Sequence, residues 1–207
     1  MYAGRDSQLR GRDRLRGLRE DNRQTGEEMG AERQRFDRLK GDAARPQVFS
    51  SFNLFPTPPM LAEQVIEIAN IHSGLSVLEP SAGMGALAIA AREAGGAVEC
   101  VEIDLPMANY LIDQGFAVEC CDFLALPVGQ VDRVVMNPPF KMGTDIKHIR
   151  HALEWLKPGG RLVSICANGP KQREQLQPIA TRWIELPPGS FKSEGTNVAT
   201  AIVIFDR

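Results

Sequence analysis

From residue 46 onward the sequence switches repeatedly between short apolar runs and longer stretches whose apolar residues recur at helical spacing. That alternation is the pattern of a parallel sheet covered by helices, because each parallel strand needs a crossover and the crossing helices bury both faces of the sheet. Residues 60–71 read as a helix with Leu61, Val65, Ile66, Ile68 and Ala69 as its apolar stripe. Residues 75–78 form a buried strand ending at Glu79-Pro80, and 86–94 an alanine-rich helix stopped by Gly95-Gly96. Strands follow over 97–102, 117–120 and 131–136, and helices over 107–114 and 145–156. Lys157-Pro158-Gly159-Gly160 closes the last helix and precedes a strand over 161–167. The tail supplies strands over 183–186 and 197–205 with no helical signal between them, which predicts an antiparallel final pair in an α/β sandwich of about seven strands.

A chain of 207 residues with 43% hydrophobic and 24% charged residues is long enough for one core. The near-neutral total hides an asymmetry. Residues 1–45 carry 12 Lys/Arg against 9 Asp/Glu, a net of +3, and 46–207 carry 12 against 17, a net of −5. Leu9, Leu15, Leu18, Met29, Phe36 and Leu39 are too few large apolar residues to offset the entropy of ordering the first segment. Residues 1–45 therefore read as an Arg-rich arm, partly helical or disordered, able to touch phosphates or a protein partner, and 46–207 as the domain. No apolar run reaches the roughly 18 residues of a membrane span, and the arginine-studded start lacks the apolar core of a secretory signal. A cytoplasmic protein without membrane contact is expected. Cys100, Cys120, Cys121 and Cys166 lack metal-ligand spacing and sit in apolar runs as small hydrophobes, so neither a disulfide nor a metal is expected.

Three stretches carry chemistry. Glu79-Pro80-Ser81-Ala82-Gly83-Met84-Gly85 joins a buried strand to a helix, and its glycines let backbone approach a ligand closely. About twenty residues later, Glu102 ends the next strand, where a carboxylate accepts hydrogen bonds from ribose hydroxyls. Together they point to an adenosine-type ligand. By themselves they also fit a dinucleotide fingerprint, which leaves a dehydrogenase open. Asn137-Pro138-Pro139-Phe140 directly follows the strand over 131–136. Its two prolines lack backbone donors and fix φ, so the Asn137 side-chain carbonyl and the Pro138 carbonyl can be held toward one point as acceptors for an amino group. Phe140 adds a face on which a planar base stacks.

With these motifs the sequence resembles the class I S-adenosylmethionine-dependent methyltransferases, specifically the amino-methylating group typified by DNA adenine methyltransferases of the small phage or mobile-element type. The resemblance runs over about 50–205. It implies a Rossmann-like three-layer sandwich with a mostly parallel seven-stranded sheet and an antiparallel final strand. Phe55-Pro56-Thr57-Pro58-Pro59 is similar to the segment that, in many of these enzymes, closes over the methionine end of the cofactor, and Gly189-Ser190-Phe191-Lys192 to Val198 looks like their C-terminal hairpin.

The roles the resemblance implies are these. Phe55 and Thr57 hold the methionine end, the backbone of Ser81, Ala82, Gly83 and Gly85 passes beneath it, and Glu79 anchors it. Glu102 takes the ribose, Ile103 one face of adenine and Phe123 the other, with Asp122 accepting from the adenine amino group. Asn137, Pro138, Pro139 and Phe140 form the catalytic tetrapeptide. An aromatic amino group is a poor nucleophile, and acceptors at Asn137 and Pro138 favour a pyramidal nitrogen with its lone pair aimed at the methyl. Such chemistry calls for no general base, so His148 and His151 are expected at the surface or on the substrate side.

Related tetrapeptides also serve enzymes that methylate the guanine amino group in RNA or glutamine in proteins. A non-catalytic partner subunit with this fold is the reading from another class. The Thr57-Pro58-Pro59 segment favours adenine in DNA, reached by rotating the base out of the stack. Lys141, Lys147, Arg150, Lys171, Arg173 and Lys192, which follow carboxyl ends of strands, are expected on the nucleic-acid side.

Overall fold

The computed structural model describes residues 56–191 and 198–207. The arm over 1–45, Phe55 and Lys192 lie outside the described residues. In chain order the elements are α1 (Pro59–Ala69), β1 (Ser76–Pro80), α2 (Ala86–Glu93), β2 (Ala97–Val101), α3 (Leu105–Asp113), β3 (Ala117–Glu119), β4 (Val131–Met136), α4 (Thr144–Glu154), β5 (Leu156–Ala167), α5 (Pro170–Gln175), β6 (Arg182–Glu185) and β7 (Thr200–Asp206). They build one sheet in the order β3-β2-β1-β4-β5-β7-β6. β1 pairs in parallel with β2 and β4, β2 with β3, and β4 with β5. β7 alone runs antiparallel, between β5 and β6. This is the expected Rossmann-like α/β sandwich of seven strands.

Alternation along the central strands divides their side chains between two apolar layers. Leu78, Val134, Met136, Leu162, Val203 and Phe205 face a cluster with Ile146, Ile149 and Ala152 of α4. Their sequence neighbours Val77, Val135, Val163, Ile202 and Ile204 face the opposite cluster, with Leu61, Val65 and Ile66 of α1 and Leu87 and Ala91 of α2. A third, smaller cluster joins Ala88 of α2 to Leu111 of α3 over Cys100. Two of the four thiols, Cys100 and Cys166, are buried as expected, whereas Cys120 is exposed and Cys121 half-buried at the end of β3. Among the described residues no helix is long and apolar enough to cross a membrane.

One boundary differs from expectation. α4 ends at Glu154 and β5 begins at Leu156, so Lys157-Pro158-Gly159-Gly160 lies inside a strand instead of before it. Leu156 pairs with Val131 and Arg161 with Arg133, and the residues between them bulge out of register. The bulge is closed by the C-terminus: Gly159, at φ 80°, donates to the Arg207 carbonyl at 2.7 Å, and Arg207 donates to Gly160 at 3.0 Å. Glycine there supplies the left-handed turn and an unobstructed backbone.

The amino ends of the strands are fastened by polar groups. The Asp132 carboxylate accepts from the Ser76 amide at 2.9 Å, the Ser76 hydroxyl at 2.6 Å and Lys157 Nζ at 3.0 Å, tying β1, β4 and β5 together. Beside it, Arg133 and Arg161 donate to the carbonyls of Ala69 and Ile68, which end α1 and lack helical partners. The Ser76 hydrogen bonds, then Lys157, hold the Asp132 carboxyl well below the usual carboxylate range. Its stabilisation is therefore complete above the unfolded-chain value of about 4 and is lost as pH falls through the lower folded value. Asp132→Asn should cost about 1–2 kcal/mol at pH 7, lowering the melting temperature by several degrees. The difference from wild type should shrink as pH falls below about 4. Equal melting curves at pH 7 would contradict the assignment.

Candidate active site

At the opposite edge, the carboxyl ends of β1, β2, β3 and β4 surround one cavity of about 380 Å³, a size suited to a small molecule. The Pro58 carbonyl accepts the first amides of α1, from Leu61 and Ala62 at 2.9 Å, and Pro59 sits in the first turn, where a missing N–H costs nothing. This fixes Thr57, itself buried, at the cavity wall.

The turn after β1 is bent by three left-handed residues, Ser81 (φ 65°), Gly83 (φ 56°) and Gly85 (φ 76°). Two of them are glycines, which adopt such angles without penalty. Ser81, Ala82 and Gly83 line the cavity, but Gly85 does not. Gly85 caps α2, and a Cβ there would come within 2.5 Å of Leu111 Cδ2, so its bareness serves the close approach of α3. Glu102, 6% exposed, accepts from the Gly83 amide at 2.7 Å and the Asp104 amide at 2.9 Å. One carboxylate thus binds the turns after β1 and β2 to each other through charge-assisted hydrogen bonds. Each oxygen keeps a further lone pair for a ligand. Asp104 in turn caps α3 by accepting from Met107 at 3.1 Å.

Glu79 lies at the end of β1, 3% exposed, and its Oε2 has no hydrogen-bond partner. Burial pushes its carboxyl well above the ordinary value, a hydrogen bond from the Ala88 amide opposes this, and the Glu102 charge adds to it. Ile103 also lines the cavity and is 69% exposed, a large apolar side chain with one face bare. Asp122 caps a 3-10 turn at Phe123–Ala125 by accepting from Leu124 at 2.9 Å, with its carboxylate at the cavity wall. Phe123 is 2% exposed; its ring packs against His148, His151 and Trp155, so it forms the floor of the cavity more than a free face. Cys121 adds to the same wall.

β4 ends at Met136, and Asn137-Pro138-Pro139-Phe140 follows along the cavity. Asn137 Nδ2 donates to Thr57 Oγ1 at 3.2 Å, which leaves the amide oxygen as the acceptor of the side chain. The Phe140 ring stands edge-on to Phe191, itself 1% exposed, with centroids 6.4 Å apart. Of the residues expected to form the site, Thr57, Glu79, Ser81, Ala82, Gly83, Glu102, Ile103, Asp122, Phe123, Asn137, Pro138, Pro139 and Phe140 meet at this cavity.

The expected cations lie apart from it. Lys141, Lys147 and Lys171 are exposed. Arg150 donates to the Gln175 carbonyl, and Arg173 is paired with Glu185 at 3.0 Å. For the histidines, expected at the surface or on the substrate side, the surface alternative fails at His148. His148 is not at the surface: it is 7% exposed and lines the cavity, with Nδ1 3.1 Å from the Ser81 hydroxyl. His151 packs against Phe123 and Trp155. The missed signal is the helical period, since Asp145 and His148 occupy the same buried stripe as Ile149 and Ala152. Asp145 is fully buried, and its oxygens accept from Gln172 Nε2 at 3.0 and 3.1 Å and from the Ala167 amide at 3.1 Å, which fastens α5 beside the site.

A Rossmann-like sheet with a glycine turn after β1, an acid ending β2 and Asn-Pro-Pro-Phe after β4 defines a class I S-adenosylmethionine-dependent methyltransferase. The chain belongs to the methyltransferase small domain family, which matches residues 43–182. No curated protein matches it. Among solved structures it is similar to TrmN from Thermus thermophilus, with 21% identity and a TM-score of 0.59 over 72% of this chain and 48% of that one. It thus spans about half of that protein. It is also similar to a putative RNA methyltransferase from Pyrococcus horikoshii, with 24% identity and a TM-score of 0.63 over 79% of this chain and 90% of that one. The methyltransferase subunit of a type I restriction-modification system from Streptococcus thermophilus matches at 18% identity and a TM-score of 0.62, over 74% of this chain and 45% of that one. At such identities the likeness is one of fold. The cofactor is S-adenosylmethionine, and the cavity fits it: the volume is adequate, Glu79 holds an unpartnered buried oxygen, and Ile103 presents an uncovered apolar face.

Glu79 yields a test of this electrostatic description. Its folded value is raised, so stability is highest below the unfolded value of about 4 and declines as pH rises toward the folded value. Glu79→Gln should therefore gain on wild type as pH rises, by at most about 1.4 kcal/mol per pH unit. Melting temperatures from pH 4 to 8 check this, and a difference independent of pH would contradict it.

Proposed function

We propose that the protein transfers a methyl group to the exocyclic amino group of adenine in DNA. The observation that carries this reading is the hydrogen bond from Asn137 Nδ2 to Thr57 Oγ1 at 3.2 Å. It unites, at one wall of the cavity, the Asn-Pro-Pro-Phe tetrapeptide with the Thr-Pro-Pro segment that favours DNA adenine as acceptor. In this reading S-adenosylmethionine, when bound, supplies an electrophilic methyl on a positively charged sulfur.

The protein's own groups do the rest. Glu102 accepts from the ribose hydroxyls while keeping its bonds to the Gly83 and Asp104 amides. Ile103 covers one face of the cofactor's adenine, and Asp122 accepts from its amino group. Glu79 and Thr57 hold the methionine end. On the acceptor side, the Asn137 amide oxygen and the Pro138 carbonyl take the two hydrogens of the target amine, so its lone pair is drawn out of the ring and aimed into the cavity. Phe140, braced by Phe191, stacks on the flipped base. The excess proton on nitrogen leaves to solvent. Lys141, Lys147 and Lys171 meet the phosphates, with residues 1–45 as a charged arm outside the catalytic domain. RNA is the competing acceptor, because structural neighbours include a putative RNA methyltransferase beside the methyltransferase subunit of a type I restriction-modification system.

Purified protein incubated with methyl-tritiated cofactor and with unmethylated DNA, RNA transcripts or a protein extract tests the reading. Label should enter DNA and, after digestion, comigrate with N6-methyladenine. Label confined to RNA or to protein glutamine would overturn the choice of acceptor, and cofactor binding with no transfer to any of them would favour the non-catalytic partner. Asn137→Ala should lower transfer about 10²–10³-fold and leave cofactor affinity within about threefold, since its oxygen addresses the acceptor amine.

A further inference from the structure

His148 lines the cavity yet takes no part in the chemistry above. It stands on the inner stripe of α4, one turn after Asp145, and is 7% exposed. Its partner across the gap is the Ser81 hydroxyl, 3.1 Å from Nδ1. Ser81 is a non-glycine residue at φ 65°, a conformation that persists only where the surroundings impose it. The imidazole of His148 is the side-chain group hydrogen-bonded to that residue, and it reaches Ser81 from an element 67 positions away in sequence. Asp122 and Phe123 face His148 from the turn after β3, and His151 faces it from its own helix. Glu79 and Glu102 share the cavity.

We propose that His148 is a positioning residue for the cofactor: it holds Ser81, and with it the strained start of the 81–85 turn, and it does so as an uncharged ring in a cavity that receives a sulfonium. This rests on reading that turn as the cofactor loop. Burial lowers the proton affinity of the imidazole below its ordinary value, Asp122 opposes this, and His151 adds to it. The ring is consequently neutral at pH 7. A charged imidazole would repel S-adenosylmethionine. It would repel S-adenosylhomocysteine less, because that molecule lacks the sulfonium charge. At an effective dielectric constant of about 20, like charges within a cavity of this size amount to roughly tenfold or more in affinity.

Calorimetric titration of the full chain with each of the two ligands between pH 5 and 8 tests the proposal. In wild type the affinity for S-adenosylmethionine should fall more steeply than that for S-adenosylhomocysteine as pH is lowered, by about tenfold once the ring is charged. His148→Asn retains a polar atom near the Nδ1 position without a titratable charge. It should bind both ligands within about threefold of wild type at pH 7 and lose the histidine's share of that difference. Protonation of Glu79 weakens binding of the sulfonium in both proteins, so the histidine is read from the gap between them. His148→Leu and Ser81→Ala should each lose about tenfold or more in affinity for both ligands, and the double variant should lose little beyond either. Superimposable pH profiles for wild type and His148→Asn would overturn the proposal. So would wild-type affinity in Ser81→Ala, which decides the matter if His148→Leu does not fold. If wild type bound neither ligand, the reading of the turn as the cofactor loop would itself fall, a result distinct from the other two.

Discussion

Because β1, β4 and β5 bury side chains on both faces of the sheet, a polar group on these strands meets a ligand only where the strand ends. The molecule obeys this constraint at both edges. At the amino ends, Asp132, Lys157, Arg133 and Arg161 satisfy one another and the end of α1. At the carboxyl ends, the polar groups also bond to one another, as Asn137 does to Thr57 and Glu102 to the Gly83 and Asp104 amides, but they line a cavity. Four strand ends converge there because the order β3-β2-β1-β4 sets them side by side and in parallel. The turns that leave β1 and β4 depart to opposite faces of the sheet, into α2 and toward α4, and the space between them is the site.

The cavity is acidic. Glu79, Glu102, Asp104 and Asp122 line it, and among its lining residues no lysine or arginine is found. Such a wall suits a cofactor with a cationic sulfur and suits the product less, since methyl transfer leaves that sulfur neutral. Binding energy that discriminates between the two lowers the cost of releasing product. The acids are not equivalent. Glu102 is held in place by hydrogen bonds from two amides, which makes it a fixed acceptor. Glu79 is buried with one oxygen unpartnered, and burial raises its proton affinity above the ordinary value. His148 stands against the same wall as a neutral counterpart.

Much of this was legible in the sequence, for identifiable reasons. The seven strands and the antiparallel end follow from short apolar runs bounded by Gly and Pro, which few other arrangements produce. Asn137 could be assigned to a ligand-facing turn because Pro138 and Pro139 forbid the strand from continuing. What escaped depends on partners far away in sequence. Lys157-Pro158-Gly159-Gly160 has the composition of a loop, and only the C-terminal Arg207 backbone draws it into β5. Arg173 has the look of a phosphate contact until Glu185 of β6 is placed beside it. Gly85 suggests a ligand-facing glycine, and Leu111 on α3 gives it a packing role instead. His148 resembles a surface residue on a charged helix, and its burial becomes readable only when Asp145, Ile149 and Ala152 are recognised as one inward stripe.

The central claim is that a single cavity brings a sulfonium cofactor and an amine acceptor together at Asn137. A crystal structure of the protein with a non-reactive cofactor analogue and a short DNA duplex tests it most directly. The account predicts the ribose on Glu102, and an adenine turned out of the duplex with its amino group within hydrogen-bonding distance of the Asn137 oxygen and its ring on Phe140. An analogue bound elsewhere, or a base that stays in the helix while Asn137 faces only protein, would contradict it.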